Sequence, residues 1–541
     1  MNYAHATEFY YPEPHTLGAH ERPSSLAPRD LYFALMQDDA DGVTTRGALQ
    51  ERSVAFLQQC LKESAALPCD LPPQPSALEA WMEHHTAQVL ADYQVYLQGR
   101  TAGSPRQYFA TKAHALHFLT AVAPTKTVDG AWLAGLLPHW QDDRFTALIR
   151  IYLEELGCGR PDQNHVVLYK RLLVANGCDR WEHLDDHHFI QGAIQLALAR
   201  NAERFLPEVI GFNLGYEQLP LHLLICAFEL NELGIDPTYF GLHVTVDNAD
   251  TGHARQALQG LRDSLPVAGD RQAFYRRVID GYRLNDLGAS TGSVIAGFDL
   301  EQELISVMTR KSVAGKQAHA DYCRIGGRTV NDWLADPAQI PGFVAALQDS
   351  GWIKRGQPPQ NSRFWKLIAG ERADMFGVFS PYEQQVLHDW IESTPARPAS
   401  ADPCASVVDV AVPVARPIPR SLSFKTRQRL LDNLDRHQPG TAARGPAPDA
   451  VQRVERRAMV RPGPFSLQRH DGDSGDDGDD ANEFSAELRA LTVQLAQAPD
   501  RRATMQVLTG LMSPTRHHTA AGLQATRIFA RLFGVAGTAN Q

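Results

Sequence analysis

An all-α fold is what the sequence predicts, on three observations. Apolar residues recur at three- and four-residue spacing from about Arg29 to Glu392, turn signals cut that periodicity into helix-sized lengths, and no sustained apolar–polar alternation marks a strand. The periodic lengths are 76–97, 108–122, 144–155, 166–174, 188–205, 219–233 and 238–246. Gly157-Cys-Gly-Arg-Pro161, Asn176-Gly177 and Gly234-Ile-Asp-Pro237 separate several of them. The last of these ends one helix on glycine and restarts the next on Asp-Pro, the usual asymmetry of stop and start. Helices with one apolar stripe must bury it on one another, which makes a helical bundle the expected architecture.

At 541 residues the chain is long enough for one large core with appendages. A net charge of −10 gives no reason to expect a nucleic-acid partner, and no apolar run reaches membrane-spanning length. The first residues, MNYAHATEFYYPEPH, lack a basic segment followed by an apolar one, so a secretory leader is not expected. Seven cysteines and no CxxC predict free thiols in a reducing cytoplasm and exclude a zinc ribbon. Composition divides the chain into an extended arm (1–30), N-terminal helices (31–104), a central bundle (105–297), a further helical region (298–393), a linker (394–482) and a helical tail (483–541). The linker turns from Pro- and Ala-rich to acidic, ending in the run Asp471–Asp480, and is too poor in apolar surface to offset its ordering entropy. That acidic run lacks the spaced ligands and terminal Glu of a calcium loop.

Two segments concentrate metal-ligand chemistry. His243-Val-Thr-Val-Asp247-Asn-Ala-Asp250-Thr-Gly-His253 holds two imidazoles and two carboxylates, and Glu155-Leu-Gly-Cys-Gly-Arg-Pro-Asp-Gln-Asn-His165 holds an acid and a His around two glycines. His243 and Asp247, four apart, share a helix face, as does Asp250 two turns on. His253 is rotated about 80° off that face at ~3.6 residues per turn, so it needs the helix to break, and Gly252 allows this. Glu155 and His165 carry the same ten-residue spacing, again with glycine between them, at Gly157 and Gly159. Glu217 lies in the apolar stretch Ile210-Gly-Phe-Asn-Leu-Gly-Tyr-Glu-Gln-Leu, where a carboxylate is costly unless paired or metal-bound. Carboxylate with imidazole and no thiolate suits iron, manganese or zinc. Against this, a single helical Glu is usually a solvated residue and a single His a surface or satisfied core residue. The doublets His84-His85, His187-His188 and His517-His518 each point two ways; the last lies in the tail, where it can approach the site.

Glu155-Leu-Gly-x-Gly-x5-His165, then Gly211-x5-Glu217, then Tyr239-Phe-x-Leu-His243-x3-Asp247 with a late His, resembles the haem-oxygenase-like diiron oxidases, or iron-containing redox enzyme family, over about residues 105–265. The resemblance implies a haem-oxygenase-like up-and-down helical bundle binding two Fe ions. It implies as ligands Asp129 (Asp where the family usually has Glu), Glu155, His165, Glu217 with Glu208 as an alternative, His243, Asp247 and His253. Where the family commonly has its final His, this chain has Asp250; if Asp250 serves instead of His253, the second site is richer in oxygen and suits manganese.

O2 is the implied co-substrate, and the implied reactions are N-oxygenation, oxidative C–C cleavage or decarboxylation of an amino-acid-like or fatty-acid-like small molecule, with no electron donor indicated. Tyr152, Tyr169, Phe212, Tyr216 and Tyr239 are candidate pocket residues or ordinary core aromatics. Arg324–Trp333 and Asn361–Trp365 either bind an anionic group or lid, or pack structurally. A cytoplasmic enzyme, without membrane or nucleic-acid partners and with a homodimer allowed, is the expectation. The competing readings are a related bundle enzyme that works without metal and a non-catalytic interaction protein.

Overall fold

The computed structural model describes residues 27–37, 43–218, 220–245, 252–394 and 477–535. Most of the arm and the linker, and with them the acidic run through Asp476, lie outside the described residues, as do Asp247 and Asp250. Helices α1 (Pro28–Met36), α2 (Val43–Ser64) and α3 (Leu78–Thr101) come first. The central bundle is α4 (Lys112–Ala121), α5 (Ala123–Lys126), a 3₁₀ stretch (Ala131–His139), α6 (Thr146–Glu155), α7 (His165–Asn176), α8 (Asp186–Arg200), α9 (Leu206–Tyr216), α10 (Leu221–Glu232), α11 (Thr238–Thr245), α12 (His253–Ser264) and α13 (Arg271–Arg283). Then come α14 (Thr291–Ala296), α15 (Leu300–Gly315), α16 (Val330–Leu334), α17 (Ile340–Asp349), α18 (Arg363–Ile368) and α19 (Pro381–Glu392). The tail is α20 (Asp477–Gln497), α21 (Arg501–Leu511) and α22 (Ala520–Phe533). Among the described residues the only strands are β1 (Arg324–Ile325) and β2 (Arg328–Thr329), an antiparallel pair.

Local chemistry explains the helix starts. Asn164, Asp270 and Asp500 each accept a backbone N–H of the first turn of α7, α13 and α21, and Ser380 with Glu383 forms a capping box at α19. α1 begins inside the expected arm, because Pro28 sits at a first helical position. The expected 108–122 helix starts only at Lys112, where Thr111 caps it by accepting the His114 amide at 3.2 Å, and the residues just before are held by Glu229 of α10. Its buried carboxylate accepts the backbone amides of Gln107, Tyr108 and Phe109 at 2.5, 2.9 and 2.9 Å, together with the Tyr96 hydroxyl at 2.9 Å. Those three amides are thereby satisfied without a helix ladder.

Buried side chains from Leu31 to Ala530 form one connected apolar cluster, so the tail packs into the same core as the bundle. Large buried groups such as Trp132, Phe118 and Phe145 each contribute roughly 1.5–3 kcal/mol by leaving water. The Trp132 indole N–H donates to Asn213 Oδ1 at 2.9 Å, which lets a polar edge enter that core. Past the bundle, the Arg and Trp residues stack on one another: Arg328 on Trp333, Arg355 on Trp390 and Arg363 on Trp352, with guanidinium-to-ring distances of 4.2, 4.4 and 4.3 Å. Trp333 also donates to the Ile325 carbonyl at 3.0 Å, closing the hairpin. These Arg–Trp pairs therefore hold the region together.

Two stability predictions follow from these buried polar groups. Glu229→Ala leaves three amides and a tyrosine without their acceptor and should destabilise the protein by about 3 kcal/mol in denaturant unfolding. His114 donates from Nε2 to the Ile295 carbonyl at 2.9 Å, but burial outweighs this bond and holds its pKa down at about 4. With the folded pKa below the unfolded one, the unfolded chain takes up the proton first. Stability should fall as pH drops from about 6.5 to 4, and His114→Gln should flatten part of that slope.

Candidate metal centre

The candidate ligands sit at helix ends that converge in the bundle. Asp129 is on the turn between α5 and the 3₁₀ stretch, Glu155 is the last residue of α6, and His165 is the first of α7. Glu217 follows the end of α9, His243 lies in α11, and His253 is the first residue of α12. The chain therefore does not run as one helix from His243 to His253: α11 is described as far as Thr245, and Gly252, extended at φ −65° and ψ 161°, precedes the new start at His253. Two helix N-termini, at His165 and His253, point their positive ends into the region where the carboxylates gather. Gly130, at φ +78°, lets Glu155 approach the Asp129 turn, since a Cβ there would lie 3.0 Å from that of Glu155.

The donors form two groups that share one residue. Asp129, Glu155, His165 and His243 offer ligand atoms within 4.8 Å of one another, and so do Glu155, Glu217 and His253. Glu155 turns Oε2 to His165 Nδ1 and Oε1 to His253 Nδ1, the latter at 3.2 Å. Asp129 Oδ2 is 3.1 Å from His243 Nε2 and 3.8 Å from His165 Nδ1. Glu217 Oε2 is 3.0 Å from His253 Nδ1.

The second nitrogens of two imidazoles have acceptors that set their tautomers. His243 Nδ1 donates to the Tyr239 carbonyl at 2.9 Å, and His253 Nε2 donates to Glu154 Oε2 at 2.9 Å. This leaves His243 Nε2 and His253 Nδ1 facing the carboxylates as neutral ligands would. The Tyr239 hydroxyl donates to Asp129 Oδ2 at 2.6 Å. Both nitrogens of His165 are buried without a well-formed hydrogen bond, although Nδ1 faces the Glu155 carboxylate. A buried imidazole in that position fits a metal ligand.

Charge is balanced inside the site. Burial alone would raise the carboxyl of Asp129, but Lys126, His165 and His243 hold it well below the usual range. Burial would likewise raise Glu155, and His165 and His253 pull it far down. Burial works to lower His165, yet Glu155 and Asp129 bring it up to about 9. Such mutual pairing is how buried charges persist, and a cation bound among the carboxylates would take the place of the protons.

The other candidate residues fall elsewhere. Glu208 is held by Arg277, whose Nε and Nη2 each donate to one carboxylate oxygen at 2.7 Å, so it is a structural ion pair. Tyr169 donates to the Leu119 carbonyl at 2.6 Å and lies edge-on to Tyr239, with ring centres 4.6 Å apart. The Tyr152 hydroxyl donates to the Met512 carbonyl of the tail at 2.6 Å. Phe212 and Tyr216 pack on each other and on Trp132, and the Tyr216 hydroxyl accepts from Gln195 at 3.2 Å. A third acidic-and-His group, His388, Asp389 and Glu392, is only partly buried, and Asp389 already accepts the Ala113 amide at 2.7 Å.

Sequence reasoning passed over Glu154, Asn164 and Lys126. Glu154 was masked by its neighbour Glu155, although two adjacent acids closing an apolar helix are themselves a signal. Asn164 reads as an ordinary cap. Lys126 lies 5.9 Å from the ring centres of both Tyr216 and Tyr239, a placement only the fold reveals.

A helical bundle that gathers carboxylates and imidazoles at converging helix ends makes this an all-α protein with a candidate metal site. Residues 116–285, which include every described candidate ligand, match the family model described as iron-containing redox enzyme. No curated protein and no solved structure matches the chain. Among the described residues no helix is long and apolar enough to cross a membrane.

The separation of Glu217 from Glu208 is open to test. Glu217→Ala should lower the number of bound metal ions. Arg277→Ala should destabilise the fold by about 3 kcal/mol, by stranding Glu208, while leaving metal content unchanged. Metal analysis beside denaturant unfolding of the two variants decides this.

Proposed function

We propose that the protein is a non-haem diiron oxidase or oxygenase that activates O2. The observation that carries this reading is Glu155, whose two carboxylate oxygens face two separate donor groups. One carboxylate turned to both groups would let each group hold its own ion. Asp129, Glu155, His165 and His243 would hold one iron; Glu155, Glu217 and His253 the other. Asp247, outside the described residues, belongs to the same proposed set. Oxygen and imidazole donors fit iron, and manganese is the nearest alternative.

When bound, a pair of ferrous ions supplies the electrons that O2 activation needs. The chain's own residues do the rest. Glu154 and the Tyr239 carbonyl hold the outer N–H protons of His253 and His243, which turns their inner nitrogens toward the carboxylates. The Tyr239 hydroxyl steadies Asp129. The buried walls around Tyr169, Tyr239 and Phe240 keep bulk water out. The substrate is a small amino-acid-like or fatty-acid-like molecule, and the reaction is N-oxygenation, oxidative C–C cleavage or decarboxylation.

Anaerobic titration with Fe(II) should saturate at about two equivalents, and O2 added to the loaded protein should change its optical spectrum and be consumed. Saturation at one equivalent, or unchanged uptake in Glu155→Ala, would sink the diiron assignment.

A further inference from the structure

The tail reaches the back of the centre, although it lies outside the family-matched segment. α22 and the turn that precedes it pack on the loop that joins Glu155 to His165. Gly159, at φ +81°, permits this contact, because a Cβ there would lie 2.3 Å from the Leu523 carbonyl oxygen. Arg527 donates to the Gly159 carbonyl at 3.2 Å, and Lys170 donates to His518 Nε2 at 2.8 Å.

Asn164, the fully buried residue before His165, is the junction. Its Oδ1 accepts the Val167 amide at 3.0 Å, and that bond settles which end of the side chain is oxygen. Nδ2 is then free to donate twice, to the Leu156 carbonyl at 3.3 Å and to His517 Nδ1 at 3.2 Å. Asn164 thus ties the residue after Glu155 to the helix start that carries His165, and its remaining bond ends on the tail. His517 is itself 1% exposed, so its Nδ1 is an acceptor shielded from bulk solvent.

We propose that His517 is a positioning residue of the metal centre: by holding Asn164 it keeps Glu155 and His165 at the spacing an ion needs, so the C-terminal tail is part of the site. This inference rests on the metal-binding reading above. Loss of an outer partner of this kind typically lowers metal affinity roughly 10–100-fold.

The test is anaerobic titration of the full-length chain with Co(II), which takes oxygen and imidazole donors and reports their arrangement by its visible spectrum. His517→Ala should bind Co(II) roughly 10–100-fold more weakly, with an altered spectrum and unchanged helical CD. His517→Asn, whose Oδ1 can accept from Asn164, should restore both. His517→Leu keeps the volume and gives the same reading where the alanine variant does not fold. Arg501→Ala removes contacts to the Leu532 carbonyl and the Trp140 ring, away from Asn164, and should lower Tm without changing the spectrum. Wild-type affinity and spectrum in His517→Ala, or equal losses in the Ala and Asn variants, would overturn the positioning role alone. A wild-type chain that binds no Co(II) would overturn the metal reading itself.

Discussion

Three carboxylates and three imidazoles gather in the bundle, all buried except the half-buried His243, and the rest of the architecture answers to that. Asp129, Glu155 and Glu217 are 3%, 5% and 5% exposed, where an unpaired charge is not tolerated. The chain meets the cost by bringing helix ends rather than helix middles to one place. Ends supply positive N-terminal dipoles, allow sharp changes of direction, and place residues ten apart in sequence side by side, as Glu155 and His165 are.

Elsewhere the bundle solves the same problem in other ways, and the contrast identifies the site. Glu229 is neutralised by three backbone amides and a tyrosine, and Glu208 by the fork of Arg277. Each is saturated by the protein and has no capacity left for a ligand. The acids of the centre instead face imidazoles whose outer nitrogens are already committed, so their inner nitrogens and the carboxylate oxygens are directed at shared space. Buried acids of equal apolar context thus differ in role through their partners alone.

The tail shows how a distant segment joins such a site. Its own amphipathic helices bury Met505, Leu508 and Phe529 in the common core, which supplies the binding energy. The polar contacts at Tyr152, Asn164 and Lys170 then fix its register on the loop between α6 and α7. Apolar burial brings the segment in, and directional bonds decide where it stops.

Helix positions and donor types were legible in the sequence, because periodicity, caps and residue chemistry are local properties. α6, α7 and α10 fall within a few residues of the expected lengths, and the break before His253 could be read from Gly252. The anchoring of residues 107–109 ahead of α4 could not, since it depends on a carboxylate more than a hundred residues away. Nor could periodicity tell Glu208 from Glu217: both sit in apolar helix sequence, and only the packing of α13 delivers Arg277 to one of them. The sequence by itself determined that the protein is helical and that it carries carboxylates and imidazoles in metal-ligand company. Only the tertiary structure decided that Glu155 faces both groups and that His517 stands behind Asn164, because those are distances between elements, set by how the whole core closes.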